Sequence, residues 1–432
     1  MRLLLQRRFG PLFATQFCGA FNDNLYKNAF ILMVAFEGRS FAGIAPELLI
    51  NAIAALFILP FLLFSITAGE CADKWDKARL TRFIKLFELG LMGVGAIALV
   101  THQVGIILLA IFLLGCHSTF FGPIKFALLP QHLPGDVLMP ANGWIEMGTF
   151  AAILLGTNLG GMLMSLGEAG RWLVAGAVLV TALAGYGFSR LIPDAPPAAP
   201  DLRFSFNPLR EAWRHLAQAA QDRVVLVAML GNSWFWFYGA TFLTQFPAYT
   251  RDTLGGTEAV VTLLWTVLTL AVGVGSLMSG WLSRGRLGLS LIPLGGLGMT
   301  LLAMDLATAH GTIAAPGSYD VAGFVHTVRG LHVMADTALM GLCAGAYIVP
   351  LYVLIQARTH EAQRARMMGT TNMLNALFMV LASLLAMAML SRGLTIPELF
   401  LWTGVLNAGV LGAMVLASPV LLQGLTSGLR RP

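Results

Sequence analysis

Charged residues are scarce in this chain. Asp, Glu, Lys and Arg make up 11% of its 432 residues, while 57% are hydrophobic; soluble domains run at about 25% charged. Mean hydropathy is +0.76. A polypeptide this apolar would aggregate in water, so an all-α, polytopic membrane protein is the expected class. Cysteine is also rare. Cys18, Cys71, Cys116 and Cys343 all fall inside apolar stretches, with no CxxC and no Cys/His metal spacing. A disulfide scaffold, a metal centre or another cofactor is therefore not expected, and the four thiols read as small packing residues. The first apolar stretch is too long for a signal peptide and no small-residue cleavage site follows it, so the first span is expected to act as its own signal. The net charge of +6 reflects membrane topology and implies no nucleic-acid partner.

What the chain has in quantity is apolar stretches of about 20 residues, the length that spans a bilayer. Twelve are expected, at about 9–36, 46–72, 80–101, 104–130, 142–166, 171–192, 223–249, 259–283, 287–309, 332–357, 367–391 and 396–421. With the N-terminus inside, the cytoplasmic segments hold twenty basic residues. These are Arg2, Arg7, Arg8, Lys74, Lys77, Arg79, Arg82, Lys85, Arg190, Arg203, Arg210, Arg214, Arg223, Arg284, Arg286, Arg358, Arg364, Arg366, Arg430 and Arg431. The opposite side holds five: Arg39, Arg171, Arg251, Arg329 and Arg392. That bias places both termini in the cytoplasm. The longest polar break, 193–222, opens with four prolines and continues into a mixed stretch from Arg210 to Arg223 that reads as an interfacial helix. It divides the chain into an N-terminal six-span half, 1–192, and a C-terminal six-span half, 223–432. The halves echo each other: Pro123 then Gln131 in span 4 against Pro350 then Gln356 in span 10, Asn142 against Asn372, and Gly69-x-x-x-Asp73 against Gly280-x-x-x-Arg284. Two parallel six-span pseudo-repeats are similar to the architecture of the major facilitator superfamily, whose substrates bind near the bilayer midplane.

The most informative run lies inside the first span: Asn22-Asp23-Asn24-Leu25-Tyr26-Lys27-Asn28. A charge at the centre of a membrane helix costs about 2.5–3.5 kcal/mol, so such groups face a polar interior or a water-filled path. At 100° per residue, Gln16, Asp23 and Lys27 share one strip of the helix and Asn24 and Asn28 flank it. Asp23 and Lys27, at i and i+4, either line a cavity or neutralise each other as a self-contained pair. Lys125, after Gly122-Pro123, and Glu146, after Asn142-Gly143, are expected at similar depth on two antiparallel spans, either paired across the hairpin or both reaching a headgroup, Lys125 at the phosphate and Glu146 at the amine or orienting Lys125; the bland readings are a snorkelling lysine and a helix N-terminal acid. His117 reads as a packed, hydrogen-bonded histidine or a proton relay. Span 7, with Trp234, Trp236 and Tyr238, suits either an acyl chain, through Trp236, or ordinary packing. Asp305 and Asp336 are isolated acids without an assignment. Gly156-x-x-x-Gly160-Gly161 reads as close helix packing.

The loop after span 2 carries a second signature. Gly69-x-x-x-Asp73-Lys74-x-Asp76-Lys77-x-Arg79 resembles the superfamily's G-x-x-x-D-[RK]-x-G-[RK] run, with Asp76 in place of the second glycine. Gly69 permits close helix approach, Asp73 suits a neighbouring helix N-terminus, and Lys74, Lys77 and Arg79 suit acids on facing helices. The expected role is a gating latch.

Taken together, Gly19-Ala20-Phe21-Asn22-Asp23-Asn24, Gly122-Pro-Ile-Lys125-Phe, Ala141-Asn142-Gly143-x-x-Glu146, Ala152-Ile-Leu-Leu-Gly156-Thr and Val349-Pro350-Leu resemble the lysophospholipid transporter family of the major facilitator superfamily across essentially the whole chain. The resemblance implies transport of lysophospholipids across the bacterial inner membrane to the cytoplasmic leaflet, for re-acylation by an acyltransferase and acyl-carrier-protein synthetase. It implies a polar site holding Asp23, Lys125 and Glu146. The standalone branch implies an arginine within span 7. None precedes Arg251 here, and the sequence is closer to the branch in which the transporter is fused to the two enzymes. No His-x-x-x-x-Asp acyltransferase run occurs; His132-x-x-x-Asp136 and His332-x-x-x-Asp336 are one residue short, so this chain is not expected to be an enzyme. The alternative function is a proton-coupled exporter of a small amphipathic solute with Asp23 as the proton site.

Overall fold

The computed structural model describes residues 2–37, 46–205, 207–283, 288–309 and 317–422. Arg39, Arg284, Arg286, Arg430 and Arg431, used above for topology and for the repeat, lie outside them. The helices in chain order are α1 (Gly10–Glu37), α2 (Pro46–Lys74), α3 (Lys77–Val100), α4 (Val104–His132), α5 (Leu138–Met164), α6 (Glu168–Ser189), α7 (Pro208–Ala219), α8 (Arg223–Ala248), α9 (Glu258–Leu282), α10 (Leu291–Thr308), α11 (Val321–Val325), α12 (Val328–Arg358), α13 (Arg364–Leu390) and α14 (Ile396–Ala417). Among the described residues there is no β-strand, only an isolated bridge between Gly256 and Tyr319. Among the described residues eleven helices are long and apolar enough to cross a membrane. The long helix that is not among them is α1, because the Asn22–Asn28 run lowers its hydropathy.

Five helices, α3, α5, α6, α12 and α13, begin three or four residues before the apolar stretch that announced them, and α2, α4, α8 and α14 begin where it does. Several first turns are capped. Asp76 accepts from Arg79 N at 2.8 Å and starts α3; Asp222 accepts from Val224 N and starts α8; Thr395 and Glu398 form a capping box at α14. Pro60, Pro123, Pro130 and Pro350 sit inside helices, as membrane helices tolerate. Large apolar side chains such as Phe83, Ile97, Val180, Trp281 and Met387 point outward, the pattern of helices solvated by lipid.

The chain forms two units. The first comprises Met1–Ala141, Gly148–Gln218 and Gln356–Met373; the second comprises Asn142–Met147, Ala219–Ile355 and Leu374–Pro432. In the first, α1 packs on α2, α4 and α6, and α3 packs on α4 and α6. Its core includes Leu25, Tyr26, Phe30, Met92, Ile111 and Val178, and Tyr26 donates to Gly95 O at 3.0 Å. Gly156 and Gly160 do what their spacing suggests. A Cβ at Gly156 would stand 2.5 Å from Phe21 O, so α5 lies directly on the backbone of α1. In the second unit α14 packs on α8 and α10, with Phe242 stacked on Phe400 at 4.3 Å between ring centroids. All four cysteines are free.

Candidate functional site

The polar interior of the first unit is built by α1, α3 and α4. Asn22 and Asp23 are both buried, about 20 Å along α1 from its start at 1.5 Å per residue. Glu88 of α3 is fully enclosed. It accepts from Asn22 Nδ2 at 3.2 Å and from Lys85 Nζ at 2.7 Å, and His117 Nε2 of α4 lies 3.2 Å from it. A buried carboxylate is tolerable only when paired and hydrogen-bonded, and here three helices supply the partners. Gly19 makes room: a methyl there would stand 2.5 Å from Lys85 Nζ. At the next position of α4, the Ser118 hydroxyl donates to Asp23 Oδ2. Asp23 Oδ1, Asn22 Oδ1 and His117 Nδ1 are buried and have no hydrogen-bond partner among the described residues.

Two sequence expectations change here. Lys85 belongs to the interior and not to the cytoplasmic loop: its side chain is fully buried against Glu88, because α3 has already run two turns when it reaches Lys85. Glu88 received no assignment at all. The signal that would have found both is their i,i+3 spacing on an otherwise apolar helix, the geometry of an intrahelical ion pair.

The other candidates on α1 fall into two groups. Gln16 is buried and accepts from Thr149 of α5 at 3.1 Å. Lys27 places its ammonium over the Phe57 ring, 4.5 Å from its centroid. Asn24 donates to Ala20 O at 2.8 Å and Asn28 to Thr157 O at 2.8 Å. These amides are thus engaged by backbone carbonyls, which gives them a packing role that the sequence did not reveal. Lys125 is half-buried with its ammonium 4.8 Å from the Phe126 ring centroid.

At the end of α2, Gly69 and Asp73 meet the first turn of α13. A Cβ at Gly69 would lie 2.8 Å from Ala365 O. Asp73, fully buried, accepts from Ala365 N, Arg366 N and Arg366 Nε, each at 3.1 Å. An acid at a helix N-terminus satisfies orphan N–H groups and the helix dipole together. Among the described residues Lys74, Lys77 and Arg79 form no ion pair with an acid on a facing helix, although the charges of Asp73 and Glu361 act on Lys77. Lys74 donates to Leu202 O at 2.6 Å and lies over Phe204, the Lys77 backbone donates to Ala195 O at 3.0 Å, and Arg79 is exposed. Asp76, the departure from the signature, caps α3 and also accepts from Ala195 N at 3.2 Å. The proline-rich segment is thereby stapled to the loop. Beyond it, α7 buries His215, whose Nδ1 lies 3.1 Å from Thr370 Oγ1. Burial, reinforced by the Arg366 guanidinium, pushes His215 down to about 4, so its ring is neutral at physiological pH.

In the second unit Asn142 and Glu146 are buried. The Tyr352 hydroxyl hydrogen-bonds Trp236 and Asn232, with the Glu146 charge close enough to act on it. Tyr352 and Asn232 are neighbours the sequence reading did not anticipate. Most of the span 7 aromatics are packing residues. Trp234 donates to Asn407 at 2.7 Å, Tyr238 donates to Met299 O at 2.8 Å, and Phe235, Phe237 and Phe242 are buried; Trp236 is half-buried.

Comparison with known proteins gives a consistent picture. The lysophospholipid transporter LplT of Enterobacter sp. (strain 638) is 26% identical over 355 residues, covering 80% of this chain and 79% of that protein. The LplT of Klebsiella pneumoniae subsp. pneumoniae is 27% identical over 353 residues, 79% of this chain and 78% of that protein. The crystal structure of the human organic anion transporter MFSD10 (TETRAN) superposes with a TM-score of 0.72 at 12% identity, over 94% of this chain and 99% of that one, a likeness of fold. The sequence pattern of the Major Facilitator Superfamily matches residues 12–383, and the chain belongs to that superfamily.

Proposed function

We propose that this membrane transporter carries lysophospholipids across the bacterial inner membrane to the cytoplasmic leaflet by alternating access, where a separate acyltransferase and acyl-carrier-protein synthetase re-acylate them. The observation that carries the reading is Asp23: a carboxylate deep within α1, held by Ser118 through one oxygen, with the other buried and without a hydrogen-bond partner among the described residues. A passive structural acid would have both oxygens satisfied. The LplT relatives add the substrate class. On this reading, in the first unit Asp23, Gln16 and Lys27 serve the polar headgroup and Lys125 its phosphate; in the second, Asn142 and Glu146 favour an ammonium and Trp236 suits the acyl chain. The Lys85–Glu88–His117 group holds α1, α3 and α4 in register beneath them.

The same proposal places both termini in the cytoplasm and treats 1–192 and 223–432 as the two six-helix halves that exchange access, joined by 193–222. Gly69 and Asp73 act as the latch, with Lys74, Lys77 and Arg79 anchoring its loop; the contacts of Asp73 with Ala365 and Arg366 break when the cytoplasmic face opens. The test is uptake of labelled lysophospholipid into vesicles containing only this protein. Saturable uptake, competed by unlabelled lysolipid and lost in Asp23→Asn, supports the reading. Absence of lysolipid uptake, with uncoupler-sensitive efflux of another amphipath, replaces it with proton-coupled export.

A further inference from the structure

Among the described residues two groups of carboxylate and imidazole donors converge tightly enough to hold an ion: Glu70 with Glu211 and His215, and Asp305 with His332 and Asp336. The first is already occupied by cations of the protein itself. Arg214 lies 3.5 Å from Glu211, Arg366 acts on Glu70, and His215 spends Nδ1 on Thr370.

The second group differs on each count. His332 and Asp336 sit at i and i+4 on α12 and therefore share a face; Asp305 reaches them from the end of α10. His332 Nε2 lies 3.1 Å from Asp305 Oδ2 and 3.4 Å from Asp336 Oδ2. Ligands at about 2.0–2.1 Å around a tetrahedral ion stand about 3.3–3.4 Å from each other, so the imidazole already stands at about that spacing from each carboxylate, and all three donor atoms lie within 4.8 Å of one another. The Asp336 side chain is only 6% exposed, yet its Oδ2, the atom facing the imidazole, has no hydrogen-bond partner among the described residues. Asp305 and His332 are about half exposed, which gives an ion a path in and leaves its outer coordination position to water. Thr308 Oγ1 lies 3.5 Å from the second oxygen of Asp305 and steadies it. The nearby guanidinium of Arg329 is committed elsewhere, donating to Ala309 O at 2.7 Å and Thr253 O at 2.9 Å.

We propose that Asp305, His332 and Asp336 form a binding site for a first-row divalent cation of the zinc type. Two carboxylates and a neutral imidazole supply a double negative charge and a mixed oxygen and nitrogen donor set, which suits zinc and its neighbours better than magnesium or calcium. The bound ion clamps the end of α10 to the start of α12. The proposal is independent of what the protein transports.

Titration of the purified full chain with Co2+, as a spectroscopic probe, tests it. Expected are one ion per chain, the visible bands of a four- or five-coordinate cobalt, and displacement by Zn2+. Asp336→Asn and His332→Gln should each weaken binding at least about tenfold, about 1.4 kcal/mol, while Glu211→Gln leaves it unchanged. Zn2+ should raise the melting temperature of the wild type but of neither of the first two variants. His332→Gln, at a half-exposed position, keeps the test decisive should Asp336→Asn not fold. No saturable Co2+ binding, binding unaltered by both variants, or loss in Glu211→Gln instead would overturn the assignment.

Discussion

The interiors of the two units solve the problem of polarity in a membrane protein in opposite ways. In the first, α1, α3 and α4 enclose full charges: Glu88 and Lys85 with no exposure, His117 against them, and Asp23 beside Ser118. In the second, α8 is lined with aromatic rings whose polar tips are closed by neutral partners, Trp234 on Asn407 and Tyr238 on Met299 O, and the Ser233 hydroxyl is closed by Asn375. Neutral pairs cost little to bury and do not change with proton or ligand. Ionised groups are costly unless matched, and the match is broken by any change in one partner. The charge cluster of the first unit therefore has the chemistry to respond to a charged solute, and the aromatic lining of α8 has the chemistry of a rigid frame.

Breaking the charge cluster should have the largest effect. Glu88→Ala leaves the Lys85 ammonium buried without its carboxylate, a loss of about 3–5 kcal/mol. The protein should either fail to accumulate or melt far lower in detergent. If the melt is unchanged, the cluster is not the internal brace described here. Asp73→Asn comes next. It weakens charge-assisted hydrogen bonds to the start of α13, worth about 1.5–3 kcal/mol each. Labelling of cysteines placed on the two membrane faces should shift in opposite directions; unchanged labelling with weakened substrate binding contradicts the latch. Trp234→Phe sharpens the comparison from the other unit. It removes one neutral hydrogen bond, worth about 1 kcal/mol, and should lower the melting temperature slightly with transport intact.

The smallest effect concerns pH. His215 is pushed down to about 4 in the folded protein from its ordinary 6.5. The unfolded chain binds the proton more readily, so folding loses stability as pH falls through 6.5 toward 4 and nothing above 6.5. His215→Gln should flatten that part of the acid dependence of melting. An identical pH profile in the variant would show that the ring is not held neutral.

Much of the fold was legible because the signal was local. The apolar stretch at 46–72 became Pro46–Lys74, the glycines at Gly156 and Gly160 packed α5 on α1, and Asp73 lay at a neighbouring helix N-terminus. The site was legible only in outline. The polar run on α1 marked Asp23, but Glu88 meets Asn22 across 66 residues and His117 across two helices, and no periodicity on α3 announces such partners. Counting basic residues for topology placed Lys85 in solvent, since that count is blind to which face of a helix a lysine occupies. The carbonyl partners of Asn24 and Asn28, Ala20 O and Thr157 O, are likewise not announced by the polar run. The span 7 aromatics were ambiguous for the same reason: whether they wall a cavity or fill a core depends on Phe400 and Asn407, more than 150 residues away.

The central claim is that Asp23 receives the headgroup of a lysolipid. Binding of labelled lysophosphatidylethanolamine to the purified protein, compared with Asp23→Asn at matched melting temperature, tests it most directly. Loss of at least about tenfold in affinity, about 1.4 kcal/mol, with the fold intact is the predicted result. Equal affinity in the two proteins would contradict it and reduce Asp23 to a structural partner of Ser118.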